Sequence, residues 1–197
     1  MNKLNGWDQT QAQMGNVSEQ LVPGGHVVKI IGVELTHSKS GTEMMVLRFD
    51  IAESGTFDGM FSRIYRARTA NGNGLPSWPN AGTYYQLTTD KDGNTNPRFK
   101  GLITAVEKSN SGYEWNWDER TLKGKFVGII FREEEFLAND GQVRTTVKPM
   151  ACCPANEAAD KPAPAKKMLG QQTLNAVQNT PPSGNGFTQV DDDELPF

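Results

Sequence analysis

The stretch Gly124-Lys125-Phe126-Val127-Gly128-Ile129-Ile130-Phe131-Arg132-Glu133-Glu134-Glu135-Phe136-Leu137-Ala138-Asn139-Asp140-Gly141-Gln142-Val143-Arg144-Thr145-Thr146-Val147-Lys148-Pro149 decides the fold class. Its first half is apolar and rich in β-branched and aromatic residues, as a buried strand is. Asp140-Gly141 is a strong short-range signal for a hairpin turn, because glycine takes the positive φ that such turns need. Gln142 to Pro149 then reads as the returning strand. Two antiparallel strands thus close the ordered part of the chain.

Working back from this hairpin, Arg98 to Ser109 carries Phe99, Leu102, Ile103 and Val106 at helical spacing, which predicts a helix packed on a sheet. Further back, Met45, Leu47, Phe49 and Ile51 alternate with Met44, Val46, Arg48 and Asp50, a period-2 strand with one apolar face. Val27, Ile31, Val33 and Leu35 suggest a strand before it, entered through Pro23-Gly24-Gly25 and left through the turn Lys39-Ser40-Gly41. Phe61 to Arg68 reads as a third strand, with Phe61, Arg63 and Tyr65 on one side. Residues 69–98 give no regular reading, since Asn71-Gly72-Asn73-Gly74 and Pro76-Ser77-Trp78-Pro79-Asn80 break any element. Insertions of this length are functional or disordered. Three strands, a helix and two strands give an all-β fold with one helix, the element order of an OB-fold-like five-stranded barrel.

The domain plan is an N-terminal arm over residues 1–20, an OB-like domain over 21–150, a flexible linker over 151–190 and an acidic tip over 191–197. The linker is rich in Pro, Ala, Asn, Gln, Ser and Gly and has too little apolar surface to offset the entropy of ordering. Coil of that length reaches tens of Å, on a scaling of roughly 5–6 Å × √n.

Charge divides along the chain. Residues 1–150 carry 17 Lys/Arg and 17 Asp/Glu, so the body is neutral, and the last seven residues carry four acids and no base. The net charge of −3 therefore belongs to the tail. A nucleic-acid binder with a neutral body needs its cations gathered on one face. The two cysteines, Cys152 and Cys153, are adjacent, so a bridge between them would be strained and would close no loop. His26 and His37 lie far from them in sequence, and neither a metal site nor a cofactor is expected. There is no Gly-Lys-Ser/Thr phosphate loop and no cluster of carboxylates, so the reading is a binding protein and not an enzyme. No apolar run approaches the ~20 residues of a membrane helix. The N-terminus lacks a signal-peptide core, which places the chain in the cytoplasm with no membrane partner.

The final residues, Asp191-Asp192-Asp193-Glu194-Leu195-Pro196-Phe197, end an acidic run on an apolar tip. This ending resembles the C-terminal tip of bacterial-type single-stranded DNA-binding proteins, with Leu195 where the family often has isoleucine. The resemblance implies that the tip recruits replication, recombination and repair proteins. Gly24-Gly25-His26-Val27-Val28-Lys29-Ile30, Lys39-Ser40-Gly41-Thr42-Glu43-Met44 and Leu122-Lys123-Gly124-Lys125-Phe126-Val127-Gly128 are similar to pieces of phage-encoded single-strand binders, which implies a phage origin and a host-cytoplasmic location.

Single-strand binding needs a cationic groove and aromatic rings for bases to stack on. Arg63, Tyr65, Arg66 and Arg68 interleave both kinds. Lys29, Arg48 and Trp78 add to them, and Arg132, Arg144 and Lys148 carry the charge of the hairpin. These ten are the candidate DNA contacts. Phe49 and Phe131 read as core, and Glu133-Glu134-Glu135 can pair with Lys or Arg across the hairpin. The alternative is an adaptor that binds only proteins. Either form leaves room for a homo-oligomer. If the tip is the recruiting element, Phe197→Ala removes its apolar anchor while keeping its charge. Partner capture in a pull-down should then drop while oligonucleotide affinity stays the same. Equal capture by both forms would refute the role of the ring.

Overall fold

The computed structural model describes residues 20–70 and 77–170. The arm to residue 19, residues 71–76, the linker beyond 170 and the acidic tip lie outside the described residues. Five strands form one antiparallel sheet: β1 (Gly24–His37), β2 (Glu43–Ile51), β3 (Thr83–Leu87), β4 (Phe126–Leu137) and β5 (Val143–Cys153), in the order β3-β2-β1-β4-β5. Among the described residues there are two α-helices, α1 (Met60–Ala70) and α2 (Pro97–Ser109). The sheet is open: β3 and β5 are its edges. It curls enough for Cα atoms of these edges to come within 8 Å, without hydrogen-bonding.

The alternation expected in β2 is observed. Met45, Leu47, Phe49 and Ile51 are almost fully buried on the inner face. In β1 the expected parity holds only in part. Val28 and Ile30 are buried, not Val27 and Ile31, because a bulge falls between Ile30 and Gly32 and resets the alternation. Beyond the bulge, Val33 turns to the core as expected. The same bulge divides the strand's partners. Gly24–Lys29 pairs with β4 and Val28–His37 with β2, so Val28 and Lys29 lie between both strands.

Two expectations are corrected. Phe61–Arg68 is not a strand but most of α1. Its buried residues Met60 and Phe61 and the core-packed Ile64 follow helical spacing. The helix begins where it does because of a distant side chain. The buried carboxylate of Asp50, on β2, accepts hydrogen bonds from the N–H groups of Phe61 (2.8 Å) and Ser62 (3.0 Å) in the first turn, and from Ile51 (3.0 Å). Helix N-termini leave such donors unpaired, and an anion there also meets the favourable end of the helix dipole. The third strand is instead Thr83–Leu87, inside the stretch that gave no reading.

The core is built from the inner faces of the sheet, α1 and α2. Phe49 lies edge-on between Phe61 and Phe131, with ring centroids 5.9 and 6.0 Å away. Helix α2 is capped by Asn96 and buries Phe99, Leu102, Ile103, Ala105 and Val106, including the four residues expected.

Ordered structure continues past residue 150. β5 runs to Cys153, a 3-10 helix spans Ala155–Asp160, and Lys167 forms a parallel bridge to Glu134 of β4. The buried Ala158 sits so close to Gly25 that a Cβ there would fall 2.0 Å from the Ala158 carbonyl oxygen. Composition conceals this segment because its anchors are backbone bonds, Gly25 N–H to Lys161 O and Lys167 N–H to Glu133 O, and small residues. Among the described residues, no helix is long and apolar enough to cross a membrane.

Replacing Asp50 with alanine leaves buried helix donors without an acceptor. The loss should be about 2–3 kcal/mol, read as a lower midpoint in urea unfolding. D50N, which keeps one acceptor oxygen, should lose less. Equal midpoints for wild type and D50A would show that α1 does not depend on this cap.

Candidate nucleic-acid interface

The outer face of β2 and β3 carries a cleft of about 490 Å³. Its floor is Val46 and Arg48 of β2 with Thr83 and Tyr85 of β3. Register explains the set, since Val46 pairs with Tyr85 and Arg48 with Thr83, so all four point the same way. Tyr65 of α1 and Ser77, Trp78 and Asn80 complete its lining. The Tyr65 and Trp78 rings contact each other at 5.5 Å between centroids, tilted by 42°. Tyr85 is half exposed on the floor. Three aromatic rings and one guanidinium thus line one opening.

Trp78 is fixed from below. Its Nε1–H donates to the carbonyl of Gly82 at 2.9 Å. The same glycine leaves room for the indole, since a Cβ there would lie 2.6 Å from Trp78 Nε1 and 2.9 Å from the Phe61 ring. Arg48 is held from the side: its Nη2 donates to Glu34 Oε2 of β1 at 2.8 Å.

Of the ten candidate contacts, Arg48, Tyr65 and Trp78 meet in the cleft. Arg68 reaches its rim, where Nη1 lies 3.5 Å from the carbonyl of Ser77. Arg66 is exposed on α1. Arg63 turns away and donates to the carbonyls of Thr56 (2.8 Å) and Asp58, closing the loop before α1. Lys29 lies on the outer face opposite Asp50, with Nζ 5.8 Å from the Phe126 ring. The hairpin cations are engaged with acids. Arg132 binds Glu134 at 2.6 Å, Lys148 approaches the same carboxylate at 3.4 Å, and Arg144 binds Asp140 at 2.5 Å. Burial raises the Glu134 pKa, but the hydrogen bond from Arg132 and the charges of Lys148 and Arg132 outweigh it and hold the carboxyl below its ordinary value. Pairing across the hairpin is therefore seen for Glu134 with Lys148, whereas Glu133 and Glu135 face Lys166 beyond it; the hairpin cations are not among the residues lining the cleft. The tip residues Asp191, Asp192, Asp193, Glu194, Leu195, Pro196 and Phe197 lie outside the described residues.

Sequence reading missed Tyr85 and Glu34 as site residues. Tyr85 had only a weak signal: in Thr83-Tyr84-Tyr85-Gln86-Leu87 burial does not alternate, and Tyr85 is the one exposed residue. Glu34 had none, because its role depends on the pairing of β1 with β2. Trp115 packs edge-on against Phe99 of α2 at 5.6 Å, which ties the 110–121 loop to the helix. Trp117 stacks on it at 4.7 Å and is 77% exposed.

Burial pushes the Cys152 thiol up to about 11, so it is protonated at neutral pH. Among the described residues, no three His, Cys, Asp or Glu side chains cluster as a metal site would require. Comparison with models of known protein families matched none of them, and comparison with characterised proteins found no match to the chain.

Gly82→Ala should force the Trp78 indole and the Phe61 ring apart. With fluorine-labelled tryptophan, the Trp78 resonance should shift while those of Trp115 and Trp117 hold. Stability should fall by roughly 1–3 kcal/mol, as for other overpacked sites. An unmoved Trp78 signal would mean that Gly82 does not set the ring.

Proposed function

We propose that the protein binds single-stranded DNA, with bases stacking in the Tyr65–Trp78–Tyr85 cleft and a phosphate meeting Arg48. The single observation that carries this reading is the convergence of these four side chains on the outer face of β2 and β3. Stacking on aromatic rings is tolerant of sequence and is worth about 1–3 kcal/mol per base. A nearby guanidinium supplies a fixed, planar donor for phosphate. In this reading the sheet is an OB-type barrel left open between β3 and β5. Support comes from the strand order, the helix between the third and fourth strands, and the near approach of the two edges. OB-folds bind oligonucleotides on the face of their second and third strands, where the cleft lies. The acidic tip then serves as the recruiting half, bringing replication, recombination or repair proteins to a body occupied by DNA. The resemblance of Asp191–Phe197 to single-strand binders supports that part.

Fluorescence anisotropy with a labelled oligo-dT tests the reading. Trp78→Ala and Tyr85→Ala should each weaken binding by about 1–3 kcal/mol, roughly 5- to 150-fold. Arg132→Ala and Lys148→Ala, whose cations already face Glu134, should stay within about twofold. No anisotropy change for the wild type at low salt would sink DNA binding and leave the protein-only adaptor. Losses confined to the hairpin variants would place the DNA elsewhere.

A further inference from the structure

Arg48 lines the cleft and is bound from beside it by Glu34 of β1, and the chemistry of this pair bears on how a strand would be held. Both side chains are about half exposed, at 48% and 56%, and the contact is short at 2.8 Å. Pairs of this kind add little to stability, so the fold does not depend on it. The guanidinium nevertheless reaches the cleft already carrying a counter-charge. Glu34 holds Arg48 through Nη2 alone, so a phosphate either uses the remaining guanidinium donors beside the carboxylate or takes its place, and in both cases it meets the negative charge of Glu34 within a few Å.

We infer that Glu34 is a specificity-determining residue of the cleft, competing with phosphate for Arg48 and shifting the affinity from charge toward base stacking. The inference rests on the single-strand reading. Its consequence is a particular salt response. When a cation on a protein neutralises a phosphate, the strand releases a condensed counterion, and the slope of log K against log[salt] falls by about 0.7 per contact for single strands. Here the Glu34 carboxylate already offsets the charge of Arg48, so the pair presents little net positive charge to the strand and displaces fewer condensed counterions than a lone arginine would. Wild-type binding is therefore less salt-dependent than its contacts suggest. A compact, highly charged ligand such as a polyphosphate meets the same competing carboxylate and has no bases to stack. The cleft therefore discriminates against it.

The test is a salt titration of oligo-dT affinity by anisotropy, comparing wild type, Glu34→Gln, Arg48→Gln and the double variant. Glu34→Gln should tighten binding about two- to fivefold at low salt, the size of effect that an exposed pair allows. Its slope should steepen by about 0.7, one uncompensated contact. The double variant should show neither change relative to Arg48→Gln, because Glu34 acts only through Arg48. Trp78→Ala should weaken binding at every salt concentration with no change in slope. An unchanged slope in Glu34→Gln, or equal gains in the presence and absence of Arg48, overturns the role of Glu34 while leaving DNA binding intact. Absence of wild-type binding overturns the single-strand reading itself. Unchanged thermal unfolding of Glu34→Gln keeps these outcomes separate from misfolding.

Discussion

The buried carboxylate of Asp50 is the interaction on which the functional face depends. It accepts three backbone N–H groups, two of them from the first turn of α1. A buried charge is tolerated only when its acceptors are used, and here the helix start uses them. That one contact fixes the start of α1 against the outer side of β2. From there Phe61 drops into the core against Phe49, while Tyr65, four residues on, comes to the cleft. Phe61 also packs against Gly82, whose carbonyl holds Trp78. Cap, core wedge and aromatic wall form one connected chain, so a disturbance at Asp50 passes to the rings that line the cleft.

Charge is arranged differently from the usual nucleic-acid binder. Arg48, Arg132, Arg144, Lys148 and Lys166 each face a carboxylate of the same sheet or its neighbouring strap. Within residues 1–150 several cations are thus neutralised by a neighbouring carboxylate, Arg48 of the cleft among them, whereas Lys29 and Arg66 are exposed. On the proposed reading, the rings of the cleft carry more of the affinity for a strand than its one paired guanidinium does.

How much of this could be read from the sequence follows from whether each signal was local. The β4–β5 hairpin, the inner face of β2 and the stripe of α2 were legible, because turn chemistry and periodicity sit within a dozen residues. The identity of α1 was not. Phe61, Ile64 and Tyr65 fit a strand and a helix almost equally, and Asp50, which decides between them, is 11 residues before Phe61 on another element. The parity of β1 before its bulge was hidden because a bulge costs one residue and leaves no mark in composition. The strand Thr83–Leu87 was masked by the breakers that precede it. In the cleft, Arg48, Tyr65 and Trp78 were each visible as residue types suited to the task. Their meeting was not, since it needs α1 to be a helix.

The same distinction bears on the two halves of the chain. A basic groove would offer the acidic run at Asp191–Glu194 a place to bind, and tip and DNA would then compete for the same cations. The cations of β2, β4 and β5 offer few such places, because they already hold Glu34, Glu134 and Asp140. Rings that stack bases have no comparable attraction for a string of carboxylates. A body that works by stacking therefore leaves an acidic tip available to partners, whereas a body that works by charge would tend to capture it. Internal ion pairing at the cleft and an acidic recruiting tail are compatible for this reason, and under the proposed function a neutral body is what would allow both on one chain.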